Sequence, residues 1–418
     1  MGIDREGHDM TDVPGLALGW EPRTWEPQSS MTSMSRAAAA RKGTSYQAAV
    51  PPLIAAMRLT FDDAVTAAAE DARAEATRFD AELSGMFEGS EGFAPLASVL
   101  LRTESASSSQ IENITVGSRA LALAEIGLAR YGSNAELVVA NVAAMQRAVA
   151  EAGRMTPAAI LAIHAALMHD QPSAEPGAFR SEPVWIGGSG AYPHGAQFIP
   201  PHHERIQGGI QDLCAFIDRT DLPLIAHIAI AHAQFETIHP FVDGNGRTGR
   251  ALVHAMLRHS RATTRATVPI SAGLLTDTDT DAYFAAPTAY RAGDPDPIVE
   301  RFSEATFAAI GNGRVLADEL KGIVERWRLE LTVRRDSVAW RILPILLAQP
   351  AVTSRLVQER TGVSQPAADR ALRQLGEAGI LTSKNEHGRD RKRDVVWRSD
   401  EVITALDEFA ARARRARP

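Results

Sequence analysis

Twelve consecutive residues, His239 to Arg250 (HPFVDGNGRTGR), gather an imidazole, a carboxylate, an asparagine between two glycines, and two arginines. His239 can accept a proton near neutral pH. Asp243 is a hard oxygen donor, suited to a Mg²⁺ ion that bridges phosphates and keeps its waters. Gly244 and Gly246 flank Asn245 and allow backbone angles other residues avoid, so successive N–H groups can converge on an anion. Arg247 and Arg250 are three apart, and the planar guanidinium fork matches phosphate oxygens. Base, metal ligand, anion nest and arginine clamp together describe transfer of a phosphate-bearing group from a nucleotide. Each residue alone would read as a turn glycine, a buried histidine or a solvated arginine. Their agreement within one segment favours chemistry.

Other chemistries fit less well. No GxxxxGK[ST] loop follows a strand. Glu236 and His239 have the E-x-x-H spacing of a di-iron site, but that site needs a second motif on a facing helix, and none occurs. His227 and His232 are five apart, off the one-face spacing of HExxH, and read as core or supporting groups. Cys214, the single cysteine, sits in the apolar run LCAFI and reads as core filler. Neither a disulfide framework nor a zinc site is expected.

The motif needs elements to hold it. PLIAHIAIAHAQFET (223–237) reads as a buried apolar helix, and a second helix is expected over 245–261. The motif is then a turn that ends at a helix N-terminus, where free N–H groups and the helix dipole favour phosphate. Further helices are expected over 204–217 and from 296 to about 333. From Ala49 to Glu151 apolar residues recur three and four apart, the spacing of helix faces. Residues 172–201 are rich in Pro and Gly and hold two short apolar runs, Val184–Ile186 and Phe198–Ile199. They predict a two-stranded flap, whose edge at Val184, Trp185 and Ile186 could pair with a target segment by strand addition. Residues 1–45 have no apolar period and read as a mobile tail. Strong strands are scarce, so the fold class is mainly α.

At 418 residues the chain should hold two or three domains. Its net charge of −7 gives the whole chain no bias toward nucleic acid. No apolar run reaches membrane-span length, and no leader pattern opens the chain, so cytoplasmic residence and no membrane partner are expected. Residues 337–418 differ: 15 Lys and Arg against 10 Asp and Glu give +5, which leaves −12 elsewhere. They hold an apolar helix (AWRILPILLAQ), then a helix, a turn at Thr361–Val363 and a second helix capped by Ser364 and ended by Gly379. ILTSK and DVVWR read as short strands around NEHGRDRK. This set resembles a winged helix-turn-helix, with Gln365, Arg370 and Arg373 on the recognition helix and Arg389, Arg391, Lys392 and Arg393 on the wing. DNA is one partner such a unit takes, although the same fold also serves dimerisation and protein docking.

A second polar stretch, SSSQIENI (Ser107–Ile114), reads as a serine-rich helix start with Ser108 and Glu112 on one face.

The segment 239–250 resembles the signature of the Fic family, HPFxDGNGRxxR, at every fixed position. VWIGG…AQFIPP resembles the family's flap, and the likeness runs over about residues 45–312. The resemblance implies a Fic-type helical core with a small β-hairpin flap. It implies transfer of AMP from ATP to a Tyr, Thr or Ser hydroxyl of a target protein. His239 would be the base, Asp243 the Mg²⁺ ligand, Gly244, Asn245 and Gly246 the anion hole, and Arg247 and Arg250 the phosphate contacts. Gly246 stands where the target-phosphorylating branch has lysine, which favours AMP transfer. Ser108, Glu112 and Asn113 match the inhibitory motif [S/T]xxxE[G/N]. In that class the glutamate pairs with the second arginine, here Arg250, and the enzyme is self-inhibited. Auto-modification and a homodimer fit the same picture. Alternatives are transfer of another nucleotide such as UMP, and a DNA-binding regulator whose core only senses nucleotide. The base pocket is sought around Tyr283, Phe284 and Tyr290, for which helix packing is the competing explanation. The expected division is a tail over 1–45, a helical region with the inhibitory helix over 46–150, a catalytic core over 151–312, a connecting helix over 313–336, and the C-terminal unit over 337–418.

Overall fold

The apolar spacings become helices in the computed structural model, which describes residues 15–26, 40–86, 93–130, 132–188, 192–275, 280–387 and 393–414. Two strands, β1 (Gly19–Thr24) and β2 (Ser45–Val50), come first. Helices α1 (Asp63–Met86), α2 (Phe93–Ile111), α3 (Ser118–Glu125), α4 (Asn134–Ala150) and α5 (Pro157–Met168) follow. After the flap region come α6 (Ile206–Ile217), α7 (Leu224–Ile238), α8 (Asn245–His259), the short α9 (Ile270–Leu274), α10 (Thr280–Ala292) and the 35-residue α11 (Asp296–Glu330). The α7 and α8 spans match the expected helices within two residues.

Helix α7 is the axis of the core. It packs against α1, α6, α8, α10 and α11. A helix enclosed on all sides has no solvent face, which is why its sequence is apolar all round instead of striped. Helix α2 lies across α4, α8 and α9. Among the described residues no helix is long and apolar enough to cross a membrane.

Three expectations are corrected. Strand β1 lies inside the segment read as a mobile tail. It pairs antiparallel with β2, from Gly19 opposite Val50 to Thr24 opposite Ser45. Trp25 at its end is fully buried with Tyr46 and Ala48, packed by Tyr192 and Ile199. Second, the first helix starts at Asp63 and not near Ala49. Pro51 and Pro52 break the pattern, and the residues after them lie against the side of α6 instead: Asp212, within that helix, accepts the N–H of Ile54 at 2.6 Å. Third, among the described residues the two-stranded flap shows one antiparallel bridge, between Ile186 and Phe198. Its base is tied to β2 by Ala49 N–H donating to Ile199 O, at 3.0 Å.

Residues 337–414 form α12 (Val338–Ala348), β3 (Ala351–Val352), α13 (Ser354–Thr361), α14 (Gln365–Glu377), β4 (Thr382–His387), β5 (Arg393–Arg398) and α15 (Asp400–Ala413). The sheet order is β3-β5-β4, all antiparallel. Gly362 and Gly379 take left-handed angles at the ends of α13 and α14. β3 and α15 went unread in the sequence. The unit is seated on the core. Arg412 of α15 pairs with Glu319 of α11 at 2.9 Å, and the Trp327 indole donates to Glu401 at 2.6 Å. Arg102 of α2 bonds Glu125 at 2.7 Å, Gln349 Oε1 at 3.1 Å, and the Ala348 carbonyl at the end of α12. Leu406 and Phe409 of α15 line a cleft shared with Thr103 and Ala106 of α2.

Candidate active site

Helix α7 stops because His239 takes left-handed angles, φ 48° and ψ 62°. For a residue with a Cβ this conformation costs roughly 1–2 kcal/mol, so the surroundings must hold it. The chain then crosses to α8 through a loop braced from inside. Asn245 accepts the Phe241 N–H and donates to the Phe241 carbonyl, both at 2.9 Å. The Asn245 side chain therefore shapes the turn by closing it on itself. Phe241 stacks on the His164 ring of α5, with centroids 3.7 Å apart. His164 Nδ1 accepts the Gly177 N–H at 3.1 Å, so its Nε2–H is the donor to the Asp243 carbonyl, also at 3.1 Å. Burial pushes the His164 pKa down to about 4, which keeps that neutral tautomer. Gly244 has φ 76°, and a Cβ there would overlap Met168.

Helix α8 opens with N–H groups that precede its first backbone bond, made by Thr248 to Gly244 O at 3.0 Å. Such groups have no partner inside the helix and mark an anion-binding end. Asp243 stands at the mouth, its side chain 57% exposed, with Oδ1 accepting the Gly244 N–H at 2.6 Å. Arg247 Nη2 lies 3.5 Å from the same oxygen. An accessible carboxylate at a helix N-terminus suits a Mg²⁺ ion that takes its remaining ligands from water and phosphate.

Arg247 and Arg250 are not solvated: both side chains are 3% exposed. Their charge is met by Glu112, whose two oxygens divide between them. Oε2 accepts from Arg247 Nε at 2.7 Å and Oε1 from Arg250 Nη2 at 2.6 Å. The expected pairing of Glu112 with Arg250 is present, and the same carboxylate also reaches Arg247. Arg250 further gives Nε to Ser108 Oγ at 2.8 Å and Nη2 to Ser108 O at 2.9 Å. Burial alone would raise the Glu112 carboxyl, but the Arg250 and Arg247 charges outweigh it and hold the group below the usual carboxylate range.

The serine-rich stretch is a helix end and not the expected helix start. Glu112 is the first residue past α2, and Asn113 takes φ 62°. Ile114 N–H bonds Ser109 O and Asn113 N–H bonds Gln110 O, the paired bonds that close a helix with a left-handed residue. Asn113 thus turns the chain away and leaves Glu112 aimed at the arginines. Helix α2 is moored by Asn141 of α4, which donates to Ser105 O at 2.8 Å, and by Glu104, 2.8 Å from His254 of α8.

The His239 side chain is 19% exposed. Burial, with the Arg180 charge next, lowers its pKa to about 3, so the ring is neutral and a weaker proton acceptor than a free imidazole. Glu236 Oε2 lies 4.0 Å from His239 Nδ1, and burial raises that carboxyl to about 7. The E-x-x-H pair is therefore one histidine beside a carboxyl. Among the described residues no group of three or more His, Cys, Asp and Glu gathers as metal ligands. His227 bonds Phe216 O at 2.8 Å and His232 is buried against Phe302, as core groups. Cys214 is buried, its thiol pushed up to about 12.

Val184, Trp185 and Ile186 are half-buried in the flap. Tyr290 is buried and donates to Gln234 at 2.8 Å, so it packs the core and is not a free base-binding face. The Tyr283 and Phe284 side chains lie outside the described residues, as do Arg389, Arg391 and Lys392 and the Arg393 side chain. Sequence reading missed His164 and Arg180, which come from separate segments and carry no local spacing signal. Arg180 is taken up below.

Residues 154–257 match the Fic/DOC family profile, and residues 70–150 match the profile of the Fic/DOC family N-terminal region. The chain is 30% identical over 104 residues to protein adenylyltransferase fic-1 of Caenorhabditis elegans, covering 24% of this chain and 19% of that protein. It is 32% identical over 108 residues to protein adenylyltransferase Fic of Drosophila melanogaster, covering 23% and 19%. The matched part thus spans about a fifth of the length of these relatives. A crystal structure of a Fic family protein from Desulfovibrio desulfuricans G20 aligns with 78% of this chain and 95% of its own, at 23% identity and a TM-score of 0.47.

Proposed function

We propose that this chain is a protein adenylyltransferase that transfers AMP from ATP to a Tyr, Thr or Ser hydroxyl of a target protein and is held inactive by Glu112. The observation that carries the reading is the joint placement of a neutral His239 beside the α8 N-terminus and of two buried arginines whose charge an internal carboxylate occupies. The names of the matched relatives support it. In this reaction the target oxygen attacks the α phosphorus, the bond to the bridging oxygen breaks, and pyrophosphate leaves. His239 takes the hydroxyl proton. Asp243 would hold Mg²⁺, which neutralises charge on the α and β phosphates when bound. Arg247 and Arg250 would meet phosphate oxygens once Glu112 withdraws. The flap at Val184–Ile186 would seat the target segment by strand addition.

Gly246 favours AMP over phosphate transfer, since its missing side chain leaves room beside the backbone donors. Mass spectrometry of the Glu112→Gly protein after incubation with Mg-ATP tests the reading. The expected result is a gain of one AMP, lost when His239→Ala is added. A gain of phosphate alone, or a gain only with UTP, would replace it with the corresponding transferase.

A second reading concerns 337–418, whose elements support a winged helix-turn-helix. Helix α14 exposes Gln365, Arg370 and Arg373. Retarded migration of duplex DNA by the full chain, weakening with salt, would establish a DNA-binding regulator.

A further inference from the structure

Arg180 leads into the flap and is 2% exposed. Among the described residues no carboxylate pairs with it. Its donors go to backbone carbonyls instead. Nε donates to His239 O at 2.8 Å, Nη1 to Glu182 O at 3.0 Å, and Nη2 to Pro201 O at 2.7 Å and Ile238 O at 3.5 Å. Its own N–H donates to Pro240 O at 3.0 Å. Burial lowers the guanidinium pKa to about 10. A buried cation without a counter-charge is unfavourable unless its hydrogen bonds are well made. Here they are made to three places at once. Glu182 precedes the Val184–Ile186 run, Pro201 follows the Phe198–Ile199 run, and Ile238–Pro240 carry the left-handed turn that aims the imidazole.

We propose that Arg180 is a positioning residue that fixes the His239 ring relative to both roots of the flap, so that the target hydroxyl and its base are placed by one group. The proposal rests on the adenylyltransferase reading for its reaction. Its geometry does not. The His239 turn is unfavourable for a residue with a Cβ, and releasing its carbonyl would let φ relax to ordinary values. A base displaced by about 1 Å costs on the order of a hundredfold in rate. Lysine cannot substitute: its ammonium is a compact donor group, whereas these carbonyls are spanned by a planar fork.

The test compares Arg180→Lys and Arg180→Ala in the Glu112→Gly protein, with Mg-ATP affinity read by calorimetry and AMP transfer by mass spectrometry. A crystal structure of the Arg180→Lys protein completes it. Expected are an unchanged ATP affinity, transfer slowed on the order of a hundredfold, partial recovery of Arg180→Ala by added guanidinium ion, and a His239 moved from φ 48°. Parental transfer in Arg180→Lys would overturn the proposal. So would a parallel fall of affinity, thermal midpoint and rate without guanidinium recovery, which marks a folding role alone. Should the Glu112→Gly parent transfer no AMP, the adenylyltransferase reading fails on its own. The crystal structure then still decides: an unmoved His239 between unmoved flap roots overturns the positioning role, and a displaced one sustains it.

Discussion

Glu112 Oε1 and Arg250 Nη2 lie 2.6 Å apart across 138 positions of sequence, and the second oxygen of the same carboxylate holds Arg247. One acid therefore neutralises both cations that a triphosphate would need. On the proposed reading, nucleotide phosphate and Glu112 would compete for the same guanidinium donors.

Removing Glu112 takes one carboxylate from two buried guanidinium groups, while Arg247 keeps Asp243 Oδ1 at 3.5 Å from its Nη2. Breaking a buried pair by deleting one partner typically costs about 3–5 kcal/mol. The Glu112→Gly protein should thus melt earlier than wild type in buffer. With Mg-ATP its midpoint should rise more than that of wild type, because ligand now supplies the missing charge. Equal nucleotide-induced shifts in calorimetry would speak against that competition.

Gly246 and Glu112 should be energetically coupled. A Cβ at Gly246 would sit 2.5 Å from Glu112 Oε1 and 2.8 Å from Arg250 Nη1. Gly246→Ala should therefore push the carboxylate off the arginines, with a loss of about 1–3 kcal/mol. In the Glu112→Gly protein the same change should be milder. A denaturation double-mutant cycle that proved additive would refute the coupling.

Acidity should affect transfer less than an ordinary histidine would allow. Burial and the Arg180 charge place the free His239 at about 3, well below 6.5, so the ring stays neutral as pH falls from 7 to 5. The acid limb of kcat/KM for the Glu112→Gly enzyme should lie below pH 6.5, since that parameter reports the free enzyme. Glu236, raised to about 7 and 4.0 Å from the ring, titrates in the same range. Glu236→Gln separates its contribution, since only the His239 limb survives in that protein. A limb centred at 6.5 in both proteins would show that the ring is solvated in the working enzyme.

Asp80 offers a stability control far from this chemistry. Its carboxylate is 6% exposed. It accepts the N–H groups of Thr264, Arg265 and Ala266 and the Thr264 hydroxyl, at 2.6 to 3.0 Å. These four donors overcome the burial that would otherwise raise its pKa, and hold it below the usual range. Asp80→Ala leaves the buried Ala266 amide and the more exposed Thr264 and Arg265 amides without their acceptor, and should cost on the order of 3 kcal/mol in urea denaturation. The depressed carboxyl pKa adds stability above its unfolded value, so this contribution should fade as pH drops through the acid range.

What the sequence made legible follows from distance along the chain. The His239–Arg250 loop is contiguous, so its glycines, acid and arginines announce themselves together, and α7 and α8 follow from their own patterns. Glu112 was legible only through a family likeness, because nothing local says which cation it will meet. Arg180 and His164 were silent: a lone arginine after PGAF and a lone histidine in an apolar helix have many ordinary uses. β1 escaped because its stabilisation is non-local, through β2 and the burial of Trp25. The run after Pro51 looked helical by spacing alone, yet its apolar residues serve a loop packed on α6. α15 carries its own helical spacing, with Val402, Leu406, Phe409 and Ala413 on the buried face.

Arg102 lies ten positions before Glu112, about 15 Å along the same rod at 1.5 Å per residue. It is stapled to the end of α12, while α15 presses on the intervening turns. The C-terminal unit is thus a handle on the latch. Arg102→Met should loosen amide-exchange protection over 105–112, so that a disturbance of α12 or α15 would reach Glu112 along one helix.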